Sequence, residues 1–313
     1  MLSPLQRTIP ERRPLPATKN AILLLAHGSP DRPEDVPEFL KQITQGRPLP
    51  ENVIAEVKHR YGLIGSSPLT CWTLQQRDQL AHELGIPVHA GMRNWKPYIA
   101  EAVQAMTAEG ITHAIAICLA PQNSRTSVGL YRAALAKENP PFDVDFVESW
   151  HDHPKLIEAL KEKLLAGWKP ACQEAGTQIR IIFTAHSVPQ RTISEGDPYE
   201  AQSKETAALV ATQAGLAKDD WTFAFQSQGM SGGAWLGPTV EDTIRDLKAG
   251  GHRGVFIQPI GFLCDHVEVL YDIDIGFKQF AGQEGLRLWR AESLNGSMLL
   301  TQALADLART RLT

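Results

Sequence analysis

Apolar and polar positions along this chain follow two periods. Short runs rich in Ile, Val and Leu at 21–26, 88–91, 113–119, 144–148, 180–184, 221–225 and 254–259 predict buried β-strands. Between them, segments 36–45, 72–84, 98–108, 155–165, 198–213 and 240–248 carry apolar residues at helical spacing, and 297–311 predicts a closing helix. Strands that alternate with helices, without two-residue hairpin turns, predict parallel sheets covered on both faces.

The pattern also repeats. ILLLAHGSP at 22–30 matches IIFTAHSVP at 181–189, each a strand running into Ala-His and a small-residue turn. THAIAICLAP at 112–121 matches HRGVFIQPIGF at 252–262, and the two matched pairs occur in the same order in each half. This predicts an α/β fold of two similar doubly wound, Rossmann-like domains, 21–150 and 151–313, with the boundary near 148–154. In such sheets ligands bind outside the carboxyl ends of the strands, so His27 and His186 are expected to line one cleft between the domains. Residues 1–20 hold four prolines and no apolar core, which predicts an extended arm rather than a signal peptide.

Composition narrows the function classes. Of 313 residues, 43% are hydrophobic and 21% charged, with a net charge of −4. That excludes a disordered chain and argues against nucleic acid as a partner. The longest apolar run is far short of the ~20 residues that span a bilayer, so stable membrane insertion is not expected. Cys71, Cys118, Cys172 and Cys264 are scattered without a C-x-x-C pair, which speaks against zinc and iron–sulfur sites and fits reduced thiols in the cytoplasm. No G-x-G-x-x-G follows the first strand and no G-x-x-x-x-G-K-[ST] occurs, so nicotinamide and ATP lose support.

The segment PIGFLCDHVEVLYDIDIG at 259–276 is the most chemically loaded. Asp265 reads as an N-cap with a helix from about 266 onward, placing Glu268 and Asp272 one turn apart on a shared face. Like charges at that spacing destabilise a helix by ~0.2–0.5 kcal/mol, which a bound cation or a proton relay would offset. The alternative is a solvated acidic face, against which stand the surrounding Val267, Val269, Leu270, Ile273 and Ile275. His186 could be a loop histidine capping backbone groups. Paired with a carboxylate, it suits Fe²⁺, Zn²⁺ or Co²⁺, or accepts protons. Arg47, Lys58, Arg60 and Arg93 form a basic group near Tyr61 and Ser67, where Arg60 and Tyr61 could hold a carboxylate or be merely solvated. His151 and His153 read as a surface loop.

T-A-H-S-V-P (184–189), G-D-P-Y (196–199), Q-S-Q with W-L-G-P (226–228, 235–238), P-I-G-F-L-C-D-H-V-E-V-L-Y-D (259–272) and RYGLIGSSPL (60–69) together resemble the ferrochelatase family. The resemblance runs over roughly 20–310. It implies two Rossmann-like domains about a central cleft and insertion of Fe²⁺ into a porphyrin in haem biosynthesis, with no cofactor beyond the substrate iron. It further implies that His186 takes a pyrrole proton and helps bind iron, that Glu268 faces it across the macrocycle, and that Asp272 continues the metal-binding acidic path. Arg60, Tyr61, Ser67 and Tyr131 fall on porphyrin-contacting positions. The short chain, without a cysteine-bearing C-terminal extension, is similar to the soluble, monomeric branch that acts on coproporphyrin III rather than protoporphyrin IX.

The chain departs from that branch at His27, where a tyrosine is common, and at Thr44, where an arginine is common and Arg47 lies close. A-H-G-S is similar to the small chelatases that load cobalt or iron into sirohydrochlorin, where that histidine binds metal. His27 is therefore a candidate axial ligand to product haem. A cobalt or sirohydrochlorin chelatase and a non-catalytic haem or porphyrin carrier are the competing readings, and a carrier would have no use for Glu268 plus Asp272.

Overall fold

The computed structural model describes residues 18–229 and 233–312. Residues 1–17 of the predicted arm lie outside the described residues. The chain forms two four-stranded parallel sheets. The first holds β1 (Asn20–Ala26), β2 (Val88–Met92), β3 (His113–Cys118) and β4 (Asp143–Val147) in the order β2-β1-β3-β4. The second holds β5 (Arg180–His186), β6 (Trp221–Gln226), β7 (Gly254–Pro259) and β8 (Arg287–Arg290) in the order β6-β5-β7-β8. Strand for strand the two orders are the same, so the sequence repeat is a repeat of topology.

In each sheet the first strand lies between the second and third, which makes its carboxyl end the switch point where a crevice opens. β1 and β5 are covered on both faces, and that is why they read as unbroken apolar runs: Ile22, Leu23, Leu24, Leu25, Ile181, Ile182 and Phe183 are fully buried. The central core is shared between the halves. Ile22 and Leu24 of β1 belong to the same cluster as Phe183 of β5 and Leu156 and Leu160 of the helix Pro154–Ala175.

The helix Met298–Arg309, expected to close the second half, also packs on Leu69–Leu84 of the first. Arg309 Nη2 donates to Glu83 Oε1 at 2.7 Å, and Gln76 Nε2 donates to Asn295 O at 2.7 Å. The helices Glu51–Ile64, Val128–Lys137 and Gln190–Ser194 and strand β8 were not expected from the pattern.

The single helix predicted from 266 is corrected. A short α-helix, Val267–Leu270, gives way to a π-helical stretch, Asp272–Phe277, and then to an α-helix, Lys278–Gln283. Nor is Asp265 the cap, which falls on His266. The Asp265 carboxylate instead accepts from Ser293 Oγ at 2.7 Å and Asn295 Nδ2 at 2.9 Å, tying this segment to the chain beyond β8. Among the described residues, no helix is long and apolar enough to cross a membrane.

Candidate active site

His27 is the first residue after β1, and His186 is the last residue of β5. Each ring makes the same local bond. His27 Nδ1 lies 2.9 Å from Gly28 O, and His186 Nδ1 bonds to Ser187 O. A carbonyl can only accept, so Nδ1 is the donor and a neutral ring keeps its lone pair on Nε2. The repeat thus reproduces a tautomer as well as a position. The turn after His27 needs glycine: Gly28 has φ +83°, and a Cβ there would lie 2.7 Å from Trp95 N.

Two imidazoles face Glu268. His186 Nε2 stands 3.7 Å from Glu268 Oε2, and His266 Nε2 stands 3.9 Å from the same oxygen. His266 Nδ1 is bonded to Cys264 O at 3.0 Å, so its Nε2 also faces the carboxylate with a lone pair when neutral. A lone pair and a carboxylate oxygen both accept, and a proton or a cation between them satisfies both. Phe262 packs edge-on against both rings, its centroid 6.4 Å from that of His186 and 4.7 Å from that of His266. Among the described residues, no three His, Cys, Asp or Glu side chains form a ready-made metal cage.

The two carboxylates are shifted in opposite directions. Burial opposes charge on Glu268, but His186 and His266, when protonated, outweigh it and hold the group well below the usual carboxylate range. Burial lifts Asp272 to about 6, opposed by the Ser227 hydroxyl that donates to it at 2.5 Å and reinforced by the nearby charge of Glu268. A proton on Glu268 therefore runs downhill to Asp272. Beside Asp272 an open cavity of about 670 Å³ is walled by Arg60, Ser227, Thr239, Tyr271 and Gln279. His27 keeps exposed ring surface but is otherwise enclosed by protein. Lost hydration, with the Arg93 guanidinium second, pushes it down to about 4 and leaves it neutral at pH 7.

The remaining expected site residues are placed differently from one another. Arg60 and Tyr61, paired in the sequence as a carboxylate clamp, are split because adjacent helical residues point about 100° apart. Arg60 Nε donates to Glu56 Oε1 at 2.9 Å, Nη1 lies 3.9 Å from Asp272 Oδ1, and the guanidinium sits 4.9 Å over the Tyr271 ring. Tyr61 is 2% exposed among Val36 and Leu40, its hydroxyl 2.9 Å from Ser29 Oγ. Ser67 and Tyr131 are also buried, at 5% and 6% exposure. All three side chains expose only a small part of their surface. His266 escaped the sequence reading, although D-H-V-E places it two residues before Glu268.

The family model described as Ferrochelatase matches residues 19–312. This chain belongs to the ferrochelatase family. It is 53% identical to the ferrochelatase of Acidobacterium capsulatum, over 93% of this chain and 94% of that protein. It is 36% identical to the coproporphyrin III ferrochelatase of Geobacillus thermodenitrificans, over 93% and 95%. Among solved structures, SirB from Bacillus subtilis with Fe³⁺ superposes with a TM-score of 0.58 at 12% identity, covering 93% of this chain and 95% of that one. CbiX, described as the terminal enzyme of sirohaem biosynthesis in denitrifying bacteria, gives 0.54 at 14% identity, covering 94% and 100%. At those identities the likeness is one of fold, two chelatase-type α/β halves.

Proposed function

We propose that this ferrochelatase inserts Fe²⁺ into coproporphyrin III in preference to protoporphyrin IX, with His186 as the proton acceptor and Glu268 and Asp272 as the relay. The observation that carries this is His186 Nε2 facing Glu268 at 3.7 Å, with a carboxyl of higher proton affinity behind it. A metal-free porphyrin hides its nitrogen lone pairs in the ring plane and carries two pyrrole N–H protons. Both must leave as Fe²⁺ enters, so the balanced change is two protons released for one Fe²⁺ bound, with no electron transferred. His186 Nε2 accepts a pyrrole proton, and the Glu268 carboxylate stabilises the imidazolium so formed and relays the proton only transiently. Asp272, with the higher proton affinity of the two acids, passes it toward the open cavity. Insertion in this scheme needs no ATP, nicotinamide or iron–sulfur cluster.

Coproporphyrin III carries four propionates and protoporphyrin IX two. Each charge-assisted hydrogen bond to a propionate contributes roughly 1.5–3 kcal/mol net. The basic group of the first half and the likeness to a coproporphyrin III ferrochelatase support the preference. kcat/KM for the two porphyrins, measured in one detergent that keeps both monomeric, tests it. A higher value is expected for coproporphyrin III, and a reversed ratio overturns the preference while leaving iron insertion intact.

His27 is proposed as the axial ligand to product iron. Its neutral ring presents Nε2 because Nδ1 is held by Gly28 O. Imidazole is neutral and a stronger-field ligand than tyrosinate, so His27→Ala is expected to change the absorption spectrum of the protein–haem complex without unfolding the protein. The visible spectrum of haem-loaded mutant checks this. If haem is still bound and the spectrum is unchanged, His27 does not touch the iron.

A further inference from the structure

We infer that Arg93 is the docking point for one carboxylate arm of the tetrapyrrole, a specificity contact on the first half of the molecule; this rests on the porphyrin reading above. Arg93 follows β2 directly. Its backbone N–H donates to Ala26 O at 3.0 Å, and that of Asn94 donates to His27 O at 3.0 Å, so the loop after β2 is zipped against the His27 turn. The guanidinium lies 5.8 Å over the ring of Tyr131. Arg93 Nε is buried with no partner, and among the described residues no carboxylate of this chain forms an ion pair with the guanidinium. Loss of hydration is the leading influence on its charge.

A desolvated guanidinium without a counter-charge is unfavourable, and arginine pairs with planar carboxylates through two parallel bonds. Two more buried polar atoms without partners lie on the elements that carry Arg93 and Tyr131. Asn94 Nδ2 belongs to a residue 3% exposed, and Ser127 Oγ stands at the N-cap of the helix that carries Tyr131. Both can donate. A cationic donor without an acid of its own fits an anionic acceptor, and the propionate arms of a porphyrin supply one at the ring edge. Arg60 has Glu56 and Asp272 as acidic partners, whereas Arg93 has none, which makes Arg93 the better-prepared carboxylate receptor of the two.

The test compares Arg93→Met and Arg93→Lys with wild type, using coproporphyrin III and its tetramethyl ester in one detergent. Binding is read by porphyrin fluorescence without metal, and KM and kcat by anaerobic Fe²⁺ insertion. Arg93→Met is expected to weaken binding of the free acid and raise its KM by about tenfold or more, with a smaller change in kcat. Binding of the ester should be nearly unaffected, and Arg93→Lys should fall between. Equal losses for acid and ester, or no loss for either, would overturn the assignment. Wild type is read separately. If it fails to insert iron, the porphyrin reading falls; if it inserts iron while Arg93→Met binds coproporphyrin III undiminished, only the Arg93 assignment falls.

Discussion

His186→Ala is expected to lower iron insertion by ~10²–10⁴-fold, the range for losing a positioned acid–base group. Porphyrin binding should stay within about tenfold of wild type, a change of ~1.4 kcal/mol. The two effects separate because of where the side chain stands. It is 33% exposed at the end of β5, its Nδ1 is bonded to its own turn, and its Nε2 points to Glu268, so alanine removes the proton acceptor with little loss of core packing. Anaerobic insertion assays with fluorescence titration of metal-free porphyrin measure both. A variant that keeps more than about a tenth of wild-type turnover would remove His186 from the mechanism.

Glu268→Gln is expected to be comparably damaging, with ~10²-fold or greater loss, although it is nearly isosteric. Glutamine keeps the shape but removes the charge that faces the Nε2 atoms of His186 and His266 at 3.7 and 3.9 Å. It also breaks the downhill step to Asp272. The relay makes a pH prediction whose sign follows from the raised pKa of Asp272. Above about 6 that carboxyl is ionised and can accept a proton, and below it is filled, so insertion should fall on the acid side with a limb near 6. Glu268, held ionised to lower pH, does not supply that limb. Asp272→Asn should remove that carboxyl's contribution to the acid limb and lower the rate at neutral pH. Normal turnover in Glu268→Gln would refute the relay.

The parts of the fold legible in the sequence were those with one dominant physical cause. β1 and β5 are buried on both faces, so their apolar runs stood out, and the Ala-His turn after each gave the repeat that the two strand orders share. The missed elements lacked such a cause. The helix Glu51–Ile64 buries only Tyr61, leaving its polar residues no single face to avoid. β8 has four residues, two of them arginines, and lies at a sheet edge, where one apolar position suffices. The π-helical stretch after Glu268 is invisible to a spacing rule that assumes the α period, so spacing alone predicts a continuous helix.

The site shows the same division. His27, His186 and Glu268 could be singled out because a strand end or an apolar setting made their chemistry conspicuous. His266 was hidden by its place at the helix start, and its role depends on extended backbone, φ −162° and ψ −175°, that no spacing reveals. Tyr61 and Tyr131 carry polar hydroxyls, but burial against neighbouring helices, which only the folded packing reveals, decides where they face. Arg93 is the converse: one of several arginines in sequence, it becomes distinct only when the fold half-buries it, with its Nε enclosed and no acid beside it.

The most direct test of the central claim is anaerobic incubation of the purified wild-type protein with Fe²⁺ and metal-free coproporphyrin III, with no ATP or other cofactor added. Loss of metal-free porphyrin fluorescence is followed over many equivalents of substrate. Multiple turnovers to iron porphyrin, well above the rate without protein, are the predicted result. Tight porphyrin binding with no insertion above that background would contradict it and leave the protein a porphyrin carrier.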